Sequence, residues 1–457
     1  MSGYPLSQPD ASPDSPAAIR KHVFNLAWPV MAEMFLQTFT QIVSMALVGH
    51  LGATAVASIG LSMQPLHLVY GVFMGISVGA TAVVSRLVGM GDERQAARAS
   101  SQAMSSSSII ALLATVLLLF GSRRVVALMG AEPAVIEEGS RYLRVMAPGL
   151  CLMWISTVLT GAMRGAGDTR TPMRVNIIIN ILNFVGNLCL VHGLWGFPAL
   201  GVLGAGIATT GARLVGGVLL IGPYLLGRSV LNVRFPEDFT LDKPLLRRIL
   251  RIALPGALER LTLASGQLFY TRMISNLGTV AYAAHVIGVN AESLSYMPGT
   301  GFGTAATTLV GQNLGRDRPD LAEKSAYESL RLAYMFMGAM GVLLFCFPGA
   351  LMRVYTSDPE IIRLGCVYLR IMALAQIPTA IGNVFPGALR GAGDTKFVLY
   401  MTTGSVWAVR LVVTYVTLNV LKIGVAGAWY AMAFDWCFRA LLSYLWFRTG
   451  KWKQATV

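Results

Sequence analysis

Between residues 23 and 447 the chain alternates long apolar runs with short polar gaps. Twelve runs are distinct, at 23–47, 54–83, 102–121, 142–163, 173–193, 201–226, 250–275, 279–309, 329–350, 366–389, 397–421 and 424–447. Each is close to or above the roughly 20 residues a helix needs to cross the hydrocarbon core of a bilayer. Backbone groups cannot stay unpaired in lipid, so runs of this length predict helices. Gly and Pro recur inside several runs, which spanning helices tolerate better than soluble ones. Residues 1–18 lack the pattern. There Pro5, Pro9, Pro13 and Pro16 lie among Ser, Asp and Ala and predict a disordered tail. The apolar run after Arg20 and Lys21 is too long for a cleavable leader and has no convincing cleavage site.

The pattern is duplicated. Arg164-Gly165-Ala166-Gly167-Asp168-Thr169 returns as Arg390-Gly391-Ala392-Gly393-Asp394-Thr395, an offset of 390 − 164 = 226. Pro29 and Pro255, Pro133 and Pro359, and Tyr142-Leu143-Arg144 and Tyr368-Leu369-Arg370 keep that offset. From Ala127 to Thr169 against Arg353 to Thr395, 18 of 43 positions are identical without a gap. Such self-similarity marks a tandem repeat. Six runs per copy predict an all-α integral membrane protein of twelve transmembrane helices in two parallel six-helix repeats, a recurrent transporter architecture. The expected divisions are a tail over 1–18, an N-terminal lobe over 19–226, a basic linker over 227–248 and a C-terminal lobe over 249–450.

Composition sharpens the class. Hydrophobic residues make up 54% and charged residues 13%, about half the charge of ordinary soluble domains. The net charge of +14 is no sign of nucleic acid, because the cations lie in the gaps between apolar runs. One set of gaps holds 23 Lys and Arg, the opposite set six (Arg123, Arg124, Arg141, Arg353, Arg363 and Lys422). The positive-inside rule then places both termini in the cytoplasm of a cell (inner) membrane protein. Cys151, Cys189, Cys346, Cys366 and Cys437 are scattered through apolar segments without metal spacing and read as small core residues. No cofactor and no metal site is expected.

Charge inside a span is costly and marks function by default. Glu33 and Glu259 each follow a proline by four residues and share the 226 offset. Glu33 lies ten residues beyond Val23, roughly 15 Å deep at 1.5 Å per residue. A carboxylate at that depth could exchange a proton or bind a cation. Glu33, Gln37, Gln41 and Ser44 share one helical face; Glu259, Gln267 and Tyr270 form the matching stripe. Asn176, Asn180, Asn183 and Asn187 make a second polar ladder, able to line a cavity or to join helices. Glu292 and Asp435 are further buried acids; Arg439 stands four residues after Asp435 as an ion-pair partner, and Arg410 could pair with a buried acid. Glu259, Glu33, Asp435 and Glu292 are thus the ion-coupling candidates. Gln37, Gln41, Ser44, Asn180, Asn183, Asn187, Gln267 and Tyr270 are the cavity-lining ones. The repeated hexapeptides read as cytoplasmic hinge loops. Their glycines suit a tight turn, Asp168 and Asp394 suit helix caps, and Arg164 and Arg390 could bind the neighbouring Asp or carbonyls. No GxxxxGK[ST] occurs, so an ion gradient rather than ATP is the expected driving force.

These residues resemble the multidrug and toxic compound extrusion (MATE) family over about 20–450. Besides the duplicated loops, the likeness rests on Val48-Gly49-His50-Leu51-Gly52, on Ala283-Ala284-His285 and on Thr308-Leu309-Val310-Gly311-Gln312-Asn313-Leu314-Gly315. The resemblance implies a V-shaped, two-lobed bundle exporting cationic or amphipathic organic compounds in exchange for H⁺, or less readily Na⁺, by alternating access. Many prokaryotic members carry acids where Ser44 and Asn187 stand here. Val43-Ser44-Met45 is closer to eukaryotic-type members, whose seventh-span Glu corresponds to Leu263, one turn beyond Glu259. Glu259 is therefore the first candidate for coupling and Glu33 the second. The expected partners are small organic cations or amphipaths and membrane lipids, with no nucleic acid, on a monomeric chain. Two alternatives stay open: a flippase for a lipid-linked or amphipathic metabolite, and a membrane-embedded lipid enzyme, for which no clustered nucleophile, base or metal set is found.

Overall fold

The computed structural model describes the backbone of residues 14–49, 53–129 and 133–455, and the side chains of the same residues except 41–49, 53–57, 134, 192 and 195. Among the described residues there is no strand, and twelve long helical segments follow one another. They are α1 (Pro16–Gly49), α2 (Ala53–Gly89), α3 (Glu93–Leu128), α4 (Pro133–Gly165), α5 (Arg170–His192) and α6 (Gly201–Leu225). Then come α7 (Lys243–Ser275), α8 (Thr279–Gly315) and α9 (Pro319–Cys346). α10 consists of Pro359–Leu374 and Gln376–Ala392, bent by 53° at the break. α11 (Thr395–Val420) and α12 (Val425–Arg448) complete the series. Each of the twelve predicted apolar runs falls on one of these segments.

By length and composition seven of them can cross a membrane, or eight with bent α10 counted as one span. The four outside that set, α1, α7, α8 and α12, are those that carry the candidate acids Glu33, Glu259, Glu292 and Asp435.

The chain forms two compact units, and their limits differ from the predicted lobes. One comprises residues through Met31 with Ser265–Val457, the other Ala32–Ala264. Both boundaries therefore fall inside helices, within α1 and within α7. Packing explains the cut. In the second unit the first half of α7 lies against α2, so close that a methyl group on Gly75 would sit 2.5 Å from the Ala257 nitrogen. In the first unit the first half of α1 lies against α8, and a methyl group on Gly301 would sit 2.5 Å from Met31 Cγ. Gly75 and Gly301, like Met31 and Ala257, differ by 226 (301 − 75 and 257 − 31), so the exchange is itself repeated.

Other contacts carry the same signature. Thr81 Oγ1 donates to Gly161 O at 2.8 Å, joining α2 to α4, and Thr307 Oγ1 donates to Gly387 O at 2.8 Å, joining α8 to α10. The core of the first unit gathers Val23 and Ala27 of α1 around Phe302, Val310 and Phe385.

The expected disordered tail is ordered in part, and the basic linker is folded. Residues 1–13 of the expected tail lie outside the described residues, but Pro16 already begins α1, and Ala18 N donates to Ser15 Oγ at 3.2 Å. The linker is folded onto α3. Asp238, 1% exposed, accepts from Arg94 Nη1 at 2.9 Å and from Arg234 N at 2.8 Å, and Gln102 Nε2 donates to Thr240 O at 2.7 Å. α7 then begins at Lys243, inside the predicted linker.

Candidate functional site

In the unit Ala32–Ala264 the acid of α1 is tied to the first hexapeptide loop. Glu33 Oε2 accepts from Arg164 Nη2 at 2.7 Å, and Glu33 Oε1 accepts from Asn176 Nδ2 at 2.9 Å. Arg164 is in the last turn of α4 and Asn176 is two turns into α5. The turn between them is built as expected at Gly167, whose φ is +93°, and at Asp168, whose carboxylate accepts from Arg170 N at 3.1 Å and Thr171 N at 2.9 Å. Two details differ from the sequence expectation. Arg164 reaches Glu33 of α1, across the chain from its own loop. Gly165 is not in the turn but at a helix crossing, where a methyl group would sit 2.6 Å from Thr81 O. Tyr70 of α2 lies within the field of Glu33, Arg164, Arg213 and Arg260.

The rest of the polar stripe has mixed placements. Gln37 is exposed on α1, while the side chains of Gln41 and Ser44 lie outside the described residues, as does His50 of the family motif. The asparagine ladder divides by role. Asn176 serves Glu33, Asn180 is half-buried, Asn183 Nδ2 donates to Thr209 Oγ1 of α6 at 2.9 Å, and Asn187 Nδ2 donates to Asn183 Oδ1 at 2.9 Å. Asn183 and Asn187 thus join α5 to α6 and to itself. Glu259, on the equivalent stretch of α7, is 3% exposed.

The other unit buries a denser charge cluster. Asp435 is 0% exposed on α12 and accepts from Arg410 Nε at 2.9 Å, from Arg439 Nε at 3.1 Å and from the Ser405 hydroxyl. Ser405 and Arg410 come from a π-helical stretch of α11, Ser405–Leu411; such bulges redirect side chains and recur at functional sites. Two guanidinium groups on one carboxylate leave the cluster one positive charge in excess. Glu292 of α8 is buried beside it and accepts from the Tyr368 hydroxyl of α10. His285 is wedged edge-on between Tyr270 and Tyr368, with centroids at 5.6 and 5.9 Å.

Tyr270, placed on a cavity stripe by its spacing, is wholly enclosed instead, and its hydroxyl donates to Ala428 O at 2.8 Å. Gln267 is exposed and donates to Thr271 Oγ1 on its own helix at 3.4 Å. The second hexapeptide loop repeats the first: Gly393 has φ +93°, and Asp394 accepts from Phe397 N at 3.4 Å and from Trp446 Nε1 at 2.7 Å. Arg390 lies in the last turn of the helix before that turn. Among the described residues no three His, Cys, Asp or Glu side chains converge on a metal position.

Sequence reasoning missed Ser405, Tyr368 and Arg213. The offset offers a signal for the last. Arg213 is 439 − 226, but four residues before it stands Thr209 where Arg439 has Asp435. Among the described residues Arg213 has no carboxylate in an ion pair; the titratable groups nearest it in effect are the phenols of Tyr142 and Tyr70.

Comparison with known proteins completes the picture. The sequence model of the family described as MatE matches residues 29–189 and 255–416, once in each repeat. A probable multidrug resistance protein NorM of Thermotoga maritima is 33% identical over 446 residues, covering 96% of this chain and 94% of that protein. An uncharacterized transporter, YisQ of Bacillus subtilis, is 27% identical over 432 residues, with 94% and 95% covered. Among solved structures, a MATE in complex with MaD3S superposes with a TM-score of 0.89 at 22% identity, over 94% of this chain and 96% of that one. A Pyrococcus furiosus transporter of the MOP superfamily, described as having a binding pocket of reverse polarity, gives 0.87 at 22% identity, with 94% and 95% covered.

Proposed function

The chain belongs to the MatE family of multidrug transporters, and from that premise we propose that it exports cationic or amphipathic organic compounds in exchange for H⁺ entering the cell. It is a multi-pass membrane transporter and not an enzyme. The finer reading rests on one observation, the ion pair of Glu33 with Arg164. It joins the two motifs duplicated along the chain, the acid after the helical proline and the Arg-Gly-Ala-Gly-Asp-Thr turn. Protonating Glu33 removes the charge that holds Arg164 and so loosens the α4–α5 turn from α1. Breaking one side of a half-buried pair costs less than the roughly 3–5 kcal/mol of a fully buried one, yet about 1.4 kcal/mol already shifts a conformational equilibrium tenfold. Glu259, buried at the equivalent repeat position, is the first coupling candidate and Glu33 the second. Asp435 is held by two arginines and serves the fold of its unit. The hexapeptide loops act as hinges, and both termini are cytoplasmic by the charge count.

Proteoliposomes test this. A cationic fluorescent dye is loaded, and a pH or a Na⁺ gradient is imposed separately. The expected result is dye movement driven by the pH gradient, abolished in folded Glu259→Gln and markedly reduced in Glu33→Gln. Dye movement that persists in both variants removes the coupling assignment; no movement under either gradient removes drug antiport. A second reading, export of an anionic or lipid-linked amphipath, is favoured by Arg213, whose Nη1 is buried with no hydrogen-bond partner among the described residues. An anionic dye in the same vesicles separates the two.

A further inference from the structure

The first three turns of α7 present a face that neither the acids nor the hinge loops use. Lys243, Arg247 and Arg251 follow one another at four-residue intervals, spanning about 12 Å along the helix. All three are exposed, and among the described residues none is in an ion pair. Leu246, Leu250 and Leu254 lie between and beyond them, with Leu250 43% and Leu254 62% exposed. Together they line an open groove of about 800 Å³. The opposite face is firmly held: Ile249, Ile252 and Ala253 are buried, and a methyl group on Gly79 would sit 2.7 Å from Ile249 O. The groove is therefore a fixed surface and not a frayed end.

Its chemistry is one-signed. No Asp or Glu occurs from Lys243 to Leu258. Nearby cations have partners, Arg94 on Glu237 and Asp238 for example. The basic turns belong to the membrane face that carries most of the chain's Lys and Arg, and the leucines continue toward the apolar part of the helix. Long basic side chains at this level keep their stems on apolar surface and their charge among lipid headgroups. The first repeat has Ala17, Lys21 and Asn25 at the equivalent positions, so the duplication does not explain the three cations.

We propose that this groove binds one anionic phospholipid, its phosphodiester held by Lys243, Arg247 and Arg251 and an acyl chain lying along Leu250 and Leu254. The occupant follows from charge complementarity and from the coincidence of cations with lipid-level leucines. Neither depends on the transported compound or the coupling ion.

Native mass spectrometry of the delipidated full chain tests the proposal, with dioleoyl phosphatidylglycerol, dioleoyl phosphatidylcholine and inorganic phosphate as probes. Each basic residue near a charged lipid surface contributes about fivefold to binding. The combined variant Lys243→Gln, Arg247→Gln, Arg251→Gln should then bind phosphatidylglycerol about a hundredfold more weakly. A control that removes the same charge elsewhere on the basic face, Lys324→Gln, Arg331→Gln, Lys396→Gln, should change binding little. Leu250→Asn with Leu254→Asn should weaken the lipid without altering the charge. Melting temperatures confirm that each variant is folded, and the charge-keeping pair Arg247→Lys, Arg251→Lys should retain the lipid if the triple Gln variant proves unstable. Equal loss in groove and control variants overturns the proposal. So does equal binding of phosphatidylcholine, displacement by inorganic phosphate at matched concentration, or lipid retained only on a dimer of the chain.

Discussion

Glu33, half-buried, and Glu292 and Asp435, buried, are three carboxylates in three different settings, and the settings decide what each can do. Glu33 has one guanidinium and one amide donor, Glu292 a single hydroxyl, and Asp435 two guanidiniums and a hydroxyl. A carboxylate between two buried arginines cannot be neutralised without stranding both. Asp435→Asn should therefore cost about 3–5 kcal/mol of stability. Glu33→Gln keeps the Asn176 contact and leaves a less deeply buried arginine, so its cost should be smaller. Thermal unfolding of the purified variants in detergent checks the order; a larger loss for Glu33→Gln would reverse the roles given to the two acids. The acids were legible in the sequence because charge is rare within apolar runs. Asp435 with Arg439 was legible too, being one helical turn apart. Arg164 was not, since it meets Glu33 across 131 residues and no local spacing encodes such a meeting. Tyr270 misled for a related reason: helical phase fixes the side of a helix, but not whether that side meets a cavity or another helix.

Among the elements, the duplicated hexapeptide shows how one short motif carries two constraints. Its second glycine, Gly167 or Gly393, has a left-handed backbone that a side chain enters only at a cost of about 1–2 kcal/mol. Its first glycine, Gly165 or Gly391, is helical and lets α4 or α10 touch the backbone of α2 or α8. From sequence alone both read as turn glycines, because the crossing helix is distant in the chain. The two roles respond differently to substitution. Gly167→Asn should be nearly neutral, since Asn tolerates the left-handed region. Gly165→Ala should destabilise by about 1–3 kcal/mol through overpacking, and Gly391→Ala should do likewise. Melting curves for the three variants suffice; a stable Gly165→Ala protein would show that the crossing has slack. The same close approach explains why the apolar runs marked each long helix yet said little of which helices pair.

For the whole molecule the governing feature is that α1 and α7 each divide between the two compact units. Repeat boundaries read from sequence follow the duplication, whereas the physical units exchange half a helix in each direction. A chain cut in the linker, between residues 240 and 241, should thus yield fragments that are unstable when made singly, each lacking a half-helix that its core is built around. Made together they should recover a folded transporter, scored by co-purification and dye movement; two independently stable fragments would contradict the exchange. The exchange also sets a timetable for biosynthesis. The first half of α1 packs where Gly301 meets Met31, 270 residues later (301 − 31). At the usual pace of roughly 5–20 residues per second, the ribosome takes tens of seconds to deliver that partner. Throughout that interval the earliest segment to emerge has no finished core to join. The first helix made is among the last to settle, and a cell that slows translation lengthens the period in which this chain is exposed to membrane quality control.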